Sequence, residues 1–355
     1  MNDFKVIYTA GRAFAQNRNP YLDDEIKNTW REVSRRQNLV DEAAPGLPET
    51  PFVYPPAVLL VAQPFSWFAY PVAKVLWFGL NLFFLAGIFF LLARMGGFSK
   101  IPYDLLVCAL VLLGLKSTRL GLVSGQMVFF SFFFCLLSYR FANCGRPLLA
   151  ATGLTLAMLK YSFALPFLLF FVTAQKYKIA LLAVCLTIVF SAIALTALPA
   201  GTLQAYLASV KSTLASGGIN DFSFANARYF ELTGLHGVLY FLFRSRTAVW
   251  IVSIILMFGA GYIAWRYRKY FLSKTENMLM LFTFCSLLFT YHRIYDSIGL
   301  FAIFLLCRPS VLFASLRWKA VLLLPLFLPI TGLVLRLKPF LPQEAYHVLV
   351  MDVPL

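Results

Sequence analysis

Charge is scarce in this chain. Only 13% of its 355 residues are Asp, Glu, Lys or Arg, and 60% are hydrophobic. A soluble domain carries about 25% charged residues to cover its surface, so an ordinary water-soluble fold is excluded and lipid replaces water over much of this one. Metal-ligand spacing is missing too: the six cysteines (Cys108, Cys135, Cys144, Cys185, Cys285 and Cys307) form no CxxC pair and read as packing residues. Alternating apolar and polar positions are absent from the long runs, which rules out a transmembrane barrel and leaves helices, whose backbone groups are all paired internally. Residues 1–50 contain no apolar leader that would read as a cleavable signal peptide. No internal repeat is evident.

What is present is a series of apolar runs. A span needs roughly 20 apolar residues, and by that ruler spans are expected near Val72–Ala93, Ile101–Leu115, Leu122–Tyr139, Leu148–Leu159, Phe163–Thr173, Ile179–Leu198, Ala248–Trp265, Met278–Tyr291, Ser297–Leu306 and Ala320–Leu335. The fold class is therefore all-α, a polytopic transmembrane helical bundle of roughly 8–10 spans with re-entrant or interfacial helices. Ala57–Phe65 and His236–Phe243 are too short to span and read as interfacial. The short runs of Leu148–Thr173 and Met278–Leu306 meet at polar residues, so each pair is either two spans or one broken hairpin lining a cavity. Three regions are expected: an extracytoplasmic segment 1–56, a transmembrane domain 57–340 that includes a long loop 199–235, and a tail 341–355.

The net charge of +16 points to topology rather than to nucleic acid, because the cations sit in short clusters between apolar runs. Arg94 and Lys100, Arg140 and Arg146, Lys176 and Lys178, Arg266 to Lys274, and Arg308 to Lys319 all fall on alternate loops. The positive-inside rule places these loops in the cytoplasm of a plasma (inner) membrane protein. The opposite, extracytoplasmic face then receives nearly every unusual polar residue, which marks it as the face of a binding or active site.

Asp3 heads an aromatic-rich segment with helical periodicity (Phe4, Ile7, Tyr8, Phe14), expected to lie on the membrane as an amphipathic helix. It is either an N-cap or a chemically active carboxylate. Tyr54 precedes Pro55 and Pro56, as a loop anchor or as a site residue. Lys116, Arg119 and Gln126 surround a glycine-containing turn at Gly121 and Gly125, where small residues let a ligand approach and the glutamine both donates and accepts. Lys160 is a lone cation in an apolar run, which either snorkels to headgroups or pairs with phosphate. His292, Arg293 and Asp296 interrupt another apolar stretch, where buried charge must be paired or solvated. His292 and Asp296, four apart, share a face if that stretch is helical; the pairing is either structural or functional. Asn220 and Ser223, close to Phe222 and Phe224, suit carbohydrate or ordinary capping. No cluster has metal spacing.

Taken in order, these motifs resemble the polyprenyl-phosphate-sugar-dependent glycosyltransferases of family 87, multispanning proteins of the GT-C type that include mannosyltransferases. The pattern runs from Asp3-Phe4, Tyr8 and Asn19-Pro20-Tyr21 through Tyr54-Pro55-Pro56, Gly125-Gln126 and Gly153 to Lys160, to an Asn-x-Ser element in the long loop and a late His followed by Asp. Three departures stand out. Met127-Val128 replace an expected Asn, Tyr161 replaces a Pro after Lys160, and no spanning helix precedes Asp3, which suggests a start further upstream.

The resemblance implies an inverting transfer of a hexose, with mannose as a candidate, from a polyprenyl-phosphate carrier to a glycan or glycolipid acceptor. It makes Asp3 the base and His292 an assisting catalytic residue. Tyr54, Lys116, Arg119, Gln126, Lys160, Asn220, Ser223, Arg293 and Asp296 would bind substrate. The lipid-linked sugar is then a co-substrate, membrane lipid a partner, and neither a cofactor nor a metal nor nucleic acid is expected. No strand with a phosphate-cradling glycine loop supports a soluble nucleotide-sugar enzyme. The rival expectations are a transporter or flippase of lipid-linked sugars, which predicts repeats and mid-membrane charge, and a catalytically inactive relative.

Overall fold

A computed structural model describes residues 1–39, 48, 50–95, 113, 115–226 and 232–269, together with positions 279, 281–283, 292, 293, 296, 298 and 299. Most of the expected spans 101–115, 278–291 and 297–306, all of 320–335, the tail, and Lys100, Lys274, Arg308, Arg317 and Lys319 lie outside the described residues. What is described is helical apart from one antiparallel pair of two-residue strands, β1 (Leu232–Thr233) and β2 (His292–Arg293).

Among the described residues, four helical runs are long and apolar enough to cross a membrane. Two of them are α4 (Tyr70–Met95) and α9 (Tyr177–Thr196), which match the expected spans to within a few residues. A third, α12 (Arg246–Arg266), does so as well. Their outward faces carry Val75, Phe83, Leu181, Ile188 and Phe258, all exposed, as a lipid-facing surface requires.

The fourth run, 147–173, is not a straight span. It comprises α7 (Pro147–Ala157), a 3₁₀ turn (Met158–Lys160) and α8 (Tyr161–Thr173). Lys160 leaves helical geometry at φ −118°, ψ 76°. Helix α6 (Val128–Asn143) shows where the two halves go. Ser131 donates to Ala157 O and Ser138 to Ala150 O, so α7 runs antiparallel to α6. Phe132 meets Phe163 and Tyr139 meets Phe170, so α8 returns parallel to α6. Lys176, just past α8, donates to Ala142 O and Asn143, beside the turn that opens α7. A straight helix of 27 residues would hold its ends about 40 Å apart at 1.5 Å per residue. Of the two expectations, the broken hairpin is therefore the one adopted.

The expected span 122–139 begins later than its hydropathy suggests. Helix α5 (Lys116–Ser124) meets α6 at 115°, as a separate element. The corner is a Schellman-type turn: Gln126 N–H donates to Gly121 O, Gly125 N–H to Leu122 O, and Gly125 sits at φ +70°.

Above one end of the bundle lie α1 (Asn2–Ala15), α2 (Asp23–Arg36), α3 (Val58–Ser66) and α10 (Thr202–Leu214). Short α11 (His236–Phe243) falls where it was expected. Helix α1 is not a one-sided amphipathic helix on lipid. Phe4 through Gly11 are all buried, because α2 covers its polar side and α3 crosses so closely that a Cβ on Gly11 would lie 2.7 Å from the Ala62 carbonyl. The ring of Phe4 stacks on Trp77 at 5.1 Å, and Trp77 Nε1 donates to Gly125 O at 2.8 Å.

The first turn of α1 thus rests on the α5–α6 corner, where a Cβ on Gly125 would lie 2.8 Å from that of Phe4. Gly125→Ala is expected to cost about 2–4 kcal/mol, by combining left-handed strain with overpacking. Gly79→Ala, which meets nothing within 4 Å, is the control. Thermal midpoints in detergent check this, and equal midpoints for the two variants would contradict the close seat described.

Candidate functional site

The ends of the helices separate by chemistry. Arg94, Arg140, Arg146, Lys176 and Arg266 fall at one end of the bundle, and a cavity of about 400 Å³ opens toward the other. Lys160 reaches that cavity about 20 Å along α7 and its turn, at 1.5–2 Å per residue. This is some two thirds of the way through a hydrocarbon core of about 30 Å.

Seven of the expected site residues line this one cavity: Asp3, Tyr54, Gln126, Lys160, Asn220, Arg293 and Asp296. Lys160 and Asp296 form an ion pair with both side chains buried, so the lysine does not snorkel. The backbone N–H of Arg293 donates to the second Asp296 oxygen at 3.3 Å, and its guanidinium donates to Ile219 O at 3.2 Å. Those bonds tie the late segment to the long loop.

Asp3 is the second residue of α1. No side chain caps that helix, so the N-cap reading does not hold. Its carboxylate faces the cavity and hydrogen-bonds Gln126, whose other amide atom, Oε1, accepts from the Tyr54 hydroxyl at 3.4 Å. Tyr54 is fixed in turn through its carbonyl, which accepts from the Tyr21 hydroxyl at 3.0 Å. Enclosure by protein raises the Asp3 pKa above its ordinary value of 3.8; the Gln126 bond and the charges of Arg293 and Lys160 pull it partly back.

Four expected residues are placed differently. Lys116 and Arg119 do not line the cavity, and Arg119 is exposed, because the Schellman turn directs Gln126 inward and leaves α5 to one side. Ser223 is buried against Asp221, which accepts from the backbone N–H groups of Gly217 and Ser223; this is a loop brace. His292 lies in β2 opposite Thr233, so it does not share a helical face with Asp296; its ring lies outside the described residues.

Sequence reasoning missed the wall opposite. Helix α12 presents Trp250, Ser253, Ile254 and Met257 to the cavity, facing Tyr161, Ser162 and Leu165 of α8. Their i, i+3, i+4, i+7 spacing was visible, but every residue in that run has an apolar neighbour and nothing distinguishes the inward stripe.

A helical membrane protein with buried, paired ionisable groups lining one cavity, beside a further carboxyl, belongs to the class of polytopic proteins that handle polar cargo or chemistry. Comparison narrows the class. A model of glycosyltransferase family 87 matches residues 52–292, about two thirds of the chain. The chain belongs to that family and is a membrane glycosyltransferase. No curated protein matches it, and no solved structure does. Asp3 precedes the matched segment, so its importance rests on where the fold places it.

Breaking one half of a buried ion pair costs about 3–5 kcal/mol, whereas replacing both halves by apolar groups is close to neutral. Lys160→Met and Asp296→Leu are each expected to lose that much, and the double variant to regain most of it. Thermal or denaturant unfolding of all three checks this. Single variants as stable as the parent would mean that the pair is not buried.

Proposed function

We propose that this glycosyltransferase moves a hexose, with mannose the leading candidate, from a polyprenyl-phosphate carrier to a glycan or glycolipid acceptor, with inversion. The active face is extracytoplasmic, in the plasma membrane, because the basic loops lie at the opposite end of the bundle. The observation that carries the proposal is the meeting of the Asp3 carboxylate with Lys160 and Arg293 in one cavity.

Charge supports it. Lys160 and Arg293 are positive and Asp296 negative, so these three hold one positive charge, while Asp3 must be ionised to act as the base. A sugar phosphodiester brings one negative charge. In the step proposed, an acceptor hydroxyl attacks the anomeric carbon from the face opposite the phosphate. A new oxygen–carbon bond forms and the carbon–oxygen bond to phosphate breaks, its electron pair going to the phosphate oxygen. Asp3 takes the hydroxyl proton. Arg293 and Lys160 offset the second charge that develops on the released polyprenyl phosphate. A single displacement inverts the anomeric centre and needs only one carboxylate. Gln126, held by Tyr54, orients Asp3, and His292 is assigned to the acceptor side. No cofactor is assigned, since the donor itself carries the leaving group.

The test is transfer of radiolabelled hexose from a panel of polyprenyl-phosphate sugars to cell-envelope lipids, in membranes containing the full chain. Asp3→Asn is expected to reduce transfer by about 10²–10⁴-fold. Because the carboxyl must be ionised to act, the parent's rate should fall on the acid side with a midpoint above 3.8. The stability effect has the opposite sense. A carboxyl whose pKa is raised by folding favours the folded state while protonated, and that contribution is lost as pH rises through the raised value. Asp3→Asn should then be at least as stable as the parent at neutral pH, the difference vanishing on acidification. Full transfer by folded Asp3→Asn, or no transfer by the parent across the panel, would sink the proposal.

A further inference from the structure

Hydroxyl groups inside apolar helices normally satisfy themselves. Thr152, Thr155, Thr173 and Thr187 each donate to the carbonyl one turn back, and Ser131 and Ser138 donate across to α7. Ser253, in the middle of α12, does neither. It is 2% exposed, its Oγ has no hydrogen-bond partner among the described residues, and it lines the cavity. A second atom shares that condition. Asn220 directs its Nδ2 toward Thr213 Oγ1 at 3.4 Å, and the Oδ1 left over is buried at the cavity wall without a partner among the described residues. Leaving such groups unpaired costs about 1–3 kcal/mol each, so a site that keeps two of them is built for something that pairs them.

The surroundings narrow what that is. An amide oxygen only accepts, so it repels phosphate oxygens and selects a hydroxyl donor. A serine hydroxyl both donates and accepts, which suits a neighbouring hydroxyl. Trp250, one turn before Ser253, supplies an aromatic surface to the same cavity. Its ring is held by edge contacts with Phe222 at 5.6 Å and His236 at 5.3 Å. Flat apolar surface beside hydroxyl-pairing groups is the chemistry of a pyranose ring, whose C–H face and rim hydroxyls need both.

We propose that Ser253, Asn220 and Trp250 form the subsite that holds a pyranose ring and reads its hydroxyl configuration, with the cations of the opposite wall left to the phosphate. This rests on the lipid-linked-sugar reading above and assigns specificity within it. Ser253 is the determinant on the membrane helix, and Asn220 its counterpart on the loop.

The experiment measures equilibrium binding to the full chain in lipid nanodiscs. The probes are radiolabelled polyprenyl-phosphate mannose, glucose and galactose, bare polyprenyl phosphate, and short alkyl glycosides of the same hexoses. Ser253→Ala and Asn220→Ala are each expected to weaken the preferred hexose about 5- to 10-fold, the value of one hydrogen bond. They should also level the difference between epimers while leaving bare polyprenyl phosphate unchanged. Ser253→Thr, which keeps a hydroxyl, should retain the preference. Loss seen with the lipid-linked hexoses assigns the ring to the donor, and loss confined to the alkyl glycosides assigns it to the acceptor. Equal weakening of bare polyprenyl phosphate, unchanged epimer preference in both alanine variants, or no hexose binding by the parent would overturn the subsite. Asp3→Asn separates the two readings: it should bind the hexoses like the parent while failing to transfer them.

Discussion

A buried charge inside a bilayer needs a partner, and the ion pair between Lys160 and Asp296 meets that need at the point where the backbone is least regular. The hairpin of α7 and α8 turns beside the cavity, and in an apolar surrounding irregular backbone is tolerated only against protein or a water-filled space. The cavity supplies that space and the ion pair closes it. Asp296 also accepts from the Arg293 backbone, so the pair brings the second cation into the same cavity and, through Ile219, the long loop with it. The loop in turn carries Asn220. Asp296, Arg293 and the loop that carries Asn220 are therefore connected, bond by bond, to one lysine.

The carboxylate comes from a different direction and by a different principle. Asp3 is placed by shape: Phe4 fits against Gly125 because glycine has no side chain there, and Trp77 fixes that turn from below. Neither contact involves the acid, yet together they set it beside Gln126. The bond from Gln126 and the field of two cations then limit how far burial disfavours its charge.

Much of this was legible in the residues. Long apolar runs gave α4, α9 and α12 nearly to their ends, and charge in apolar surroundings drew attention to Lys160, Arg293 and Asp296 before any contact was known. Less legible were features that depend on what lies across the fold. Hydropathy sees the apolar face of α1 but not α2, which covers its other side. Lys116 and Arg119 share a motif with Gln126, but only the direction of the Gly125 turn decides which of them faces inward. His292 and Asp296 have helical spacing, yet pairing with Leu232–Thr233 holds the first of them extended. Ser253 carries no signal in sequence, because a serine among isoleucines looks the same whether or not its hydroxyl is satisfied.

The distance along the chain between Lys160 and Asp296 also has a temporal meaning. They are 136 residues apart, and chains emerge at about 5–20 residues per second. The lysine is thus made on the order of 10 s before its counter-charge, with α7 and α8 already emerged. During that interval the hairpin's charged tip exists without this particular counter-charge. The ion pair is thus among the last contacts of the site to form, and a chain interrupted before Asp296 lacks it.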